Sequence, residues 1–354
     1  MTMLKKFKQA ALKSLKSAGV STLVQNSSWR RQRLLILAYH GIALSDEHLF
    51  NGSQFISADL FRDRLELLKR HKCAVLPLGE AVERLYANDL PDRAVAITFD
   101  DGLSDFYRRA FPLIKEYDVP VTLYLTTFYS YYQRPVFDLM CSYLLWKGRS
   151  NVLDLKSLTG QDLKTNLQGL GAREGALAQI HAFARGQKLS ADDKDAFAAS
   201  LAQHLDVDYD SLLEQRTMHN LTPDEVGKLA NGGIDVQLHT HRHRTPLDRE
   251  LFLREVDDNR KSIFEMTGKS ATHFCYPSGV YDLRFLPWLR EAGVVSATTC
   301  ESGFASRSSN QLLLPRFLDN ATLSPIEFES WLTGVSAALP QRRVGMRAFA
   351  GGIS

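Results

Sequence analysis

The sequence predicts an α/β protein built on a mainly parallel sheet or barrel. Short apolar runs typical of buried strands alternate with amphipathic helical segments, first over residues 34–134 and again over 222–334. Two of these runs lead directly into clusters of acidic or histidine side chains, and such folds place their chemistry at the carboxyl ends of the strands. The length of 354 residues and the 44% hydrophobic content allow a substantial core.

The first series of elements follows from the spacing of its apolar residues. A buried strand leads into His40 and Gly41, and Ser57 is a suitable N-cap for the first long helix. The aromatic and polar stretch 128–134 is expected to form a loop beside the site. Strands are predicted at 34–41, 73–78, 94–99 and 119–126, and helices at 58–71, 79–86 and 103–117.

Residues 137–220 interrupt this alternation. They are rich in Leu, Ala, Gln, Asp and Lys and contain no long β-branched run, which predicts a helical insertion with helices at 177–183 and 192–205 among others. Such an insertion could cover the site, hold an acceptor lipid or pair subunits, and the sequence does not choose among these roles.

The second series resumes at Thr222, where a cap residue, Pro223 and Glu225 form a strong helix start. Residues 34–336 are therefore predicted to form the barrel that carries the insertion, and 337–354 a C-terminal tail. Strands are predicted at 235–238, 273–276, 294–299 and 312–317, and helices at 222–231, 249–266, 281–291 and 324–333.

Residues 1–33 are predicted to form a basic segment ahead of the barrel. Eight lysines and arginines and no acidic residue give it a charge of +8, against +3 for the whole chain. Apolar residues recur at helical spacing between the lysines, which predicts a basic amphipathic helix; they are Leu4, Phe7, Ala11, Leu15 and Ala18. Such a helix suits the surface of an anionic membrane, but packing on the domain, a disordered basic tail and an organelle transit peptide are alternatives.

The remaining composition excludes several classes of function. The chain beyond residue 33 carries a net charge of −5, which does not favour a nucleic-acid partner. The four cysteines show no CxxC pairing, so neither a thiolate zinc site nor a disulfide framework is indicated. Because no apolar stretch approaches the roughly 20 residues of a membrane span and lysines interrupt any signal-peptide core, we expect a cytoplasmic protein, peripheral on the inner face of the membrane if residues 1–33 bind there.

Asp100 and Asp101 form the first cluster of interest, in the segment Thr98-Phe99-Asp100-Asp101-Gly102 after a strand. Adjacent carboxylates raise each other's pKa unless a cation lies beside them. One interpretation is that Asp100 caps the next helix and Asp101 and Gly102 make the turn. The other interpretation is a metal site.

The second cluster favours the metal site. His239-Thr240-His241-Arg242-His243 holds three histidines in five residues at the end of a predicted strand. Together with Asp101, His239 and His243 supply two nitrogens and one oxygen and leave positions open for water and substrate, as in a catalytic metal site rather than a structural one. A surface histidine cluster is the alternative.

With a third segment, Cys275-Tyr276-Pro277-Ser278-Gly279, the chain resembles the polysaccharide deacetylases of the NodB-homology group, which are similar to carbohydrate esterase family 4. Residues 98–102 match the first motif of that family and residues 239–243 match its second motif, His-Ser/Thr-x-x-His. The third motif, Arg-x-Pro-aromatic-Gly in many members, is matched in part. The resemblance spans about residues 34 to 334 and implies an irregular (β/α)7-type barrel.

The resemblance also implies roles for individual residues. Asp101, His239 and His243 would hold a divalent metal, most commonly zinc, with cobalt, nickel or manganese as alternatives. Asp100 would be the general base that takes a proton from the attacking water. The backbone N–H of Ser278 would stabilise the oxyanion, within a substrate-binding segment made of Tyr276, Pro277, Ser278 and Gly279.

Two departures from the family pattern bear on the mechanism. The Leu-x-x-His motif that supplies a general acid in many members is missing after His273, so His40 becomes the first candidate and His241 the second. Cys275 replaces the arginine of the third motif, which makes Arg316 the candidate for orienting Asp100.

The function implied by the resemblance is a metal-dependent carbohydrate N-deacetylase. Its expected partner is an N-acetylated glycan of a bacterial surface polysaccharide or the lipid-linked sugar precursor of one. Alternatives are deformylation of a lipid-linked amino sugar and a non-catalytic glycan-binding barrel.

Overall fold

The fold is a curled, mainly parallel sheet surrounded by helices. A computed structural model describes residues 3–160 and 164–338. The strands are β1 (Leu35–Tyr39), β2 (Gly41–Ile42), β3 (Phe55–Ile56), β4 (Ala74–Val75), β5 (Ala94–Phe99), β6 (Thr122–Leu125), β7 (Val152–Asp154), β8 (Lys164–Asn166), β9 (Asp235–Leu238), β10 (His273–Cys275), β11 (Ser296–Thr298) and β12 (Phe317–Leu318).

Helices cover the outside of the sheet and build the insertion. They are α1 (Met3–Ser17), α2 (Val20–Gln25), α3 (Ser28–Arg31), α4 (Glu47–Phe50), α5 (Ala58–Arg70), α6 (Leu78–Ala87), α7 (Phe111–Tyr117), α8 (Phe128–Tyr131), α9 (Phe137–Lys147), α10 (Lys156–Thr159), α11 (Leu170–Gly186), α12 (Ala191–His204), α13 (Tyr209–Glu214), α14 (Pro223–Asn231), α15 (Arg249–Thr267), α16 (Phe285–Glu291) and α17 (Pro325–Thr333). A π-helical turn at Phe106–Ala110 precedes α7.

The main sheet confirms the predicted barrel-type fold. Its strand order is β11-β10-β9-β6-β5-β1-β12, with β4 added beside β5, and all of these pairings are parallel. The carboxyl ends of the strands therefore lie at one edge, which we call the carboxyl edge. Parallel strands are covered on both faces, and every residue of β1 and β5 is buried.

The core has an inner and an outer layer because neighbouring residues of a strand face opposite sides. Ile36 and Ala96 pack inside the curl with Leu78 and Val82 of α6. Residues of β1 and β5 that alternate with these pack under the outer helices, such as Leu37 and Ile97. The inner layer lies beneath the candidate site and supports it.

The predicted last strand at 312–317 is interrupted, which corrects the prediction. Leu314 pairs with Thr298 of β11, whereas Phe317 pairs with Leu37 of β1. Pro315 has no backbone N–H for a ladder bond, so the chain changes partner at this point. The switch joins the two edges of the sheet and directs Arg316 to the buried interior, where it is 0% exposed.

The described residues of the stretch 137–220, which leave out 161–163, hold five helices, α9 to α13, and a separate apolar cluster formed mainly by α9, α11 and α12. It also contains the antiparallel pair β7 and β8, which was not predicted because three-residue strands show no readable alternation. Nearby, residues 128–134 were expected to be a loop, but Phe128–Tyr131 forms the short helix α8. Its ring contacts among Phe128, Tyr129 and Tyr132 stabilise one helical turn.

The chain ends extend the helical layer. The basic helix of the N-terminal segment is present as α1, and it lies against α17 with Leu12 buried. At the other end, a 3-10 turn spans Val335–Ala338, and most of the predicted tail, 339–354, lies outside the described residues. Within the described part of the chain, none of the helices has both the length and the apolar character to cross a membrane.

Candidate active site

The turn after β5 places the two adjacent carboxylates at the carboxyl edge. The backbone N–H of Asp100 donates to the carbonyl oxygen of Tyr39 at 2.9 Å and continues the ladder with β1. Asp101 and Gly102 both adopt left-handed backbone conformations, with φ of 72° and 79°. A Cβ atom on Gly102 would lie 2.3 Å from the side chain of Leu125, so only glycine fits there. The turn therefore makes the side chains of Asp100 and Asp101 point in different directions.

The histidine loop follows β9 at the same edge. His239 continues the strand, while Thr240 and His243 take left-handed conformations with φ of 62° and 54°. Nε2 of His239 and Nε2 of His243 each lie 3.2 Å from Oδ1 of Asp101. The loop thus folds back so that both imidazoles meet one carboxylate.

These three side chains form a donor set that fits a divalent metal. Their ligand atoms all lie within 4.8 Å of one another. His239 Nδ1 lies 2.9 Å from the carbonyl oxygen of Cys275, which accepts its proton and leaves Nε2 with a free lone pair. Two imidazole nitrogens and one carboxylate oxygen suit zinc and other first-row divalent ions.

Electrostatics keeps Asp101 ionised. Burial opposes its charge, but His243 and His239 outweigh the burial and hold the pKa of Asp101 well below its usual range. In turn, Asp101 raises the pKa of His243 against the effect of burial. A proton on His243 would therefore compete with a metal for the same nitrogen.

Asp100 is held by Arg316 through a bidentate pair. The Arg316 Nη1 and Nη2 atoms lie 2.7 Å from Oδ1 and Oδ2 of Asp100, and both residues are buried. Burial opposes the charge of Asp100, but the Arg316 guanidinium outweighs it and lowers the pKa of Asp100. The carboxylate is thus an anion with a fixed orientation.

Every N–H group of Arg316 has a partner, which locks the guanidinium in place. Besides Asp100, it donates to the carbonyl oxygen of Thr299 at 3.0 Å, to Thr98 Oγ1 at 3.1 Å and to Cys275 Sγ at 3.1 Å. Burial raises the pKa of the Cys275 thiol well above its usual value, so Cys275 remains neutral beside the ion pair. The arginine that the third motif lacks is thus supplied from the segment before β12.

We expect the substitution Arg316→Lys to lower both the stability and the turnover of the protein strongly. A lysine ammonium is a point charge that lacks the planar fork, so it can neither bind both oxygens of Asp100 nor fill the same set of acceptors. The free energy of unfolding should fall by about 3 kcal/mol in urea titrations, and any turnover should fall with it. The control is Arg307→Lys at an exposed site; equal stability in both variants would contradict the role of the fork.

His40 and His241 differ in position. His40 follows β1 at the carboxyl edge, with Nε2 3.9 Å from Oδ2 of Asp100 and a side chain that is 18% exposed. The His241 Nδ1 atom instead lies 2.8 Å from Thr127 Oγ1, and its ring packs edge-on against Phe128. Of the two candidates for the general acid, only His40 lies beside the carboxylates.

The segment Tyr276, Pro277, Ser278 and Gly279 follows β10, the neighbour of β9. Tyr276 is buried and donates its hydroxyl hydrogen to the carbonyl oxygen of Leu312 at 3.0 Å. Ser278 is exposed with φ of 55°, and a Cβ on Gly279 would lie 2.6 Å from that of Cys300. The segment is therefore a tight turn at the carboxyl edge, and oxyanion binding by Ser278 stays a prediction.

A cavity of about 310 Å³ opens beside the donor set, lined by Asp101 and His243 together with Gln54, Tyr129, Arg242 and Asn220 among others. Larger cavities of about 430 and 480 Å³ lie elsewhere and contain neither the carboxylates nor the histidines of this cluster. Chemistry rather than size therefore identifies this cavity as the candidate active site.

Sequence reasoning missed two residues of α15 that position the histidine loop. The Asn259 side chain accepts the backbone N–H of His239 at 2.9 Å and donates to Leu125 and Thr127. One turn earlier, buried Glu255 accepts from the backbone N–H of Arg242 at 2.8 Å and from Arg244 Nε at 2.7 Å. Both side chains are polar and buried. The signal available in the sequence was their spacing of four residues on an amphipathic helix, which places them on the same face.

Asp105 is a buried acid that the sequence analysis did not single out. It accepts the backbone N–H of Ile42 at 3.1 Å, and burial, joined by the charges of Glu47 and Asp101, raises its pKa well above the usual range. A raised folded-state pKa means that the native protein binds a proton that the unfolded chain releases above pH of about 4.

We therefore expect Asp105→Asn to stabilise the protein as pH rises. The amide keeps an acceptor for Ile42 but never ionises, whereas the wild-type protein loses stability by about 1.4 kcal/mol per pH unit between the unfolded and folded pKa values. Urea unfolding at several values between pH 4 and 8 measures the difference. Asp63→Asn, on the surface of α5, is the control; a gap between wild type and Asp105→Asn that is independent of pH would contradict the assignment.

Comparison with known proteins places these features in a family. The family model for polysaccharide deacetylase matches residues 87–140 and 187–297, which contain both carboxylates, the histidine loop and the turn after β10. The unmatched residues between the two blocks belong to the insertion.

Curated relatives are also named as deacetylases. A poly-beta-1,6-N-acetyl-D-glucosamine N-deacetylase from Staphylococcus epidermidis is 26% identical over 183 residues, or 49% of this chain and 57% of that protein. The protein of the same name from Staphylococcus aureus strain MRSA252 is 20% identical over 300 residues, or 82% of this chain and 80% of that protein. The chain thus spans little more than half of the first relative and most of the second.

Solved structures agree with the fold. A Streptococcus pyogenes deacetylase, PplD, in complex with acetate is 20% identical and superposes with a TM-score of 0.54 over 83% of this chain and 95% of that one. IcaB from Ammonifex degensii is 18% identical, with a TM-score of 0.51 over 85% of this chain and 97% of that one. With the matching family model and the carboxylates and histidines gathered at the carboxyl edge, the chain is related to the polysaccharide deacetylases, a family of hydrolases.

Proposed function

We propose that the protein is a metal-dependent carbohydrate N-deacetylase acting on an N-acetylated sugar of a bacterial surface polysaccharide or on its lipid-linked precursor. One observation carries the proposal: an Arg316-bound carboxylate, Asp100, adjoins the donor set of Asp101, His239 and His243, and two members of that set, Asp101 and His243, line a cavity. The match to the family model for polysaccharide deacetylase supports the reaction class.

The donor set assigns the metal ligands. Asp101, His239 and His243 would hold a divalent cation, most commonly zinc, with cobalt, nickel or manganese as alternatives. When bound, such an ion polarises a carbonyl oxygen and lowers the pKa of water. The three ligands leave coordination positions for substrate and water, as catalytic sites require.

The remaining roles belong to the chain's own residues. Asp100, an anion held in one orientation by Arg316, accepts the proton of the attacking water. The backbone N–H of Ser278, in the segment from Tyr276 to Gly279, is the candidate donor to the oxyanion. His40, 3.9 Å from Asp100, donates a proton to the leaving amine, so that one water and one amide yield acetate and a free amino sugar.

The substrate class follows from the relatives, which are named for poly-beta-1,6-N-acetyl-D-glucosamine. The cavity presents Tyr129, Arg242, Gln54 and Asn220, which are side chains suited to a neutral sugar with hydroxyl and amide groups. We therefore take oligomers of N-acetylglucosamine and lipid-linked N-acetyl sugars as the first substrates to test.

The test uses the full chain, stripped with a chelator and reloaded with zinc, cobalt, nickel or manganese. The reloaded protein is incubated with soluble oligomers and lipid-linked N-acetyl sugars, and the released acid is identified by proton NMR. We expect acetate in a metal-dependent amount. Formate from an N-formylated lipid-linked sugar alone would instead assign the deformylase reaction, and no acid from any substrate with any of these metals would refute the enzymatic proposal.

A further inference from the structure

Helix α1 lies against the domain with its polar side. Gln9 donates to Glu327 at 3.1 Å and Lys16 to Glu329 at 2.6 Å, and Lys5 donates to the carbonyl oxygen of Thr322. Leu12 is 2% exposed and lies on this same side of the helix. These contacts anchor α1 to α17 and to the loop before it.

The apolar stripe of α1 therefore points away from the domain. Met3 is 85% exposed and Phe7 is 77% exposed, and Ala11, which continues the stripe, is exposed as well, as is Ala18 directly after the helix. A helix that packs on a soluble domain normally buries its apolar stripe and exposes its polar face. Here the arrangement is reversed, and Leu15 at the margin of the stripe is only half-buried.

Lysines flank this outward stripe. Lys6 and Lys13 lie on one border and are exposed, and neither forms an ion pair within residues 3–160 and 164–338. Lys8 and Lys16 are instead paired with Glu327 and Glu329 of α17, so Lys6 and Lys13 are the lysines left to act at the outer face. A second copy of α1 would bring like charges together, whereas an anionic lipid surface would neutralise them.

The stripe begins at the end of the barrel that holds the candidate active site. Lys5 contacts Thr322, in the loop that links β12 to α17. That loop leaves β12 at its carboxyl end, the edge that also carries Asp100 and His239. Met3 and Phe7, in the first two turns of α1, therefore lie towards the carboxyl edge.

We propose that the outer face of α1, made of Met3, Phe7 and Ala11 with Lys6 and Lys13 at its border, binds an anionic phospholipid bilayer. The apolar side chains enter the boundary between headgroups and acyl chains, and the lysines contact the headgroups. The contact brings the start of α1, which lies towards the carboxyl edge, to the membrane surface. A role of this membrane contact in delivering lipid-linked glycans to the site rests on the proposed function, whereas the binding of α1 to lipid does not.

Vesicle binding of the full chain tests the proposal. Protein is sedimented with sucrose-loaded vesicles of phosphatidylglycerol and phosphatidylethanolamine, and with vesicles of phosphatidylcholine alone. We expect wild-type protein to bind the anionic vesicles at least about tenfold more strongly than the neutral ones, with the difference lost in high salt. Equal binding to both, or no binding to either, would overturn the proposal.

Substitutions on the outer face separate apolar insertion from charge. The double variant Met3→Ser/Phe7→Ser should bind the anionic vesicles about tenfold or more weakly, and Lys6→Ser/Lys13→Ser should lose about fivefold for each lysine. Leu170→Ser is the matched control, because Leu170 is 65% exposed at the start of a helix in the insertion. Binding by Met3→Ser/Phe7→Ser as strong as that of the control would overturn the proposal.

Two further measurements distinguish bilayer binding from unfolding and from pairing with a second copy. Thermal unfolding and acetate release from a soluble oligomer should be the same in Met3→Ser/Phe7→Ser as in wild type, since neither residue contacts the core or the site. Light scattering tests the other occupant of this face: a dimer that the same double variant converts to monomer would overturn the bilayer proposal in favour of a second copy. If no acid is released from any substrate, the proposed function fails while the vesicle result stands.

Discussion

Asp100→Asn should reduce turnover by about 10³-fold while leaving the metal content unchanged. Asn has nearly the shape of Asp and its oxygen can still accept a hydrogen bond from Arg316, but it cannot take a proton from water. Because Asp100 is not one of the three residues of the donor set, metal binding should be preserved. Elemental analysis of the reloaded protein and initial rates of acetate release measure the two effects.

The same variant leaves the guanidinium of Arg316 buried without its counter-ion. We expect the free energy of unfolding to fall by about 3 kcal/mol, so turnover is to be measured at a temperature where urea titration shows the variant folded. Asp89→Asn, on the surface after α6, keeps wild-type stability and rate as the control. An Asp100→Asn variant with normal turnover would remove Asp100 from the role of base.

Much of the site was predictable because its chemistry is local in sequence. The two carboxylates and the three histidines each occur within five residues, and each group follows an apolar run of strand type. Parallel strands share one carboxyl edge, so the alternation of strands and helices already implies that these groups meet. The structure adds distances and the left-handed conformations of Asp101 and His243, which turn both side chains into one cavity.

The parts that escaped prediction depend on contacts between distant segments. Asn259 and Glu255 read as ordinary polar positions of α15 until the histidine loop is seen lying on that helix. Arg316 could be proposed as a partner of Asp100, but its full set of acceptors arises only because Pro315 makes the chain change partner strands. Such pairings leave no periodic signal in the sequence.

Helix α1 shows a different limit. Its amphipathic pattern correctly predicted a helix, and the sequence left membrane binding and packing on the domain as alternatives. The structure shows packing, but through the side that carries Lys5, Gln9 and Lys16. An amphipathic pattern specifies that two faces differ, whereas acids on a distant helix, here Glu327 and Glu329 of α17, decide which face meets the domain.

His239→Ala should abolish metal binding and turnover together. His239 supplies one of two imidazoles in the donor set, and its Nε2 is kept free for a ligand by the Nδ1 hydrogen bond to Cys275. With one nitrogen and one oxygen left, metal affinity should fall by at least about 100-fold, and acetate release should reach background. Elemental analysis after dialysis and titration with zinc measure the loss.

The matched control for His239→Ala is His241→Ala, two residues further along the same loop. The His241 ring bonds to Thr127 and contacts Phe128, away from Asp101, so this variant should keep its metal and most of its turnover. The pair of variants thus separates ligation from general disturbance of the loop. Metal retained by His239→Ala, or lost equally by both variants, would contradict the assignment, because His239 and His243 of this loop lie against the Asp101 carboxylate whereas His241 does not.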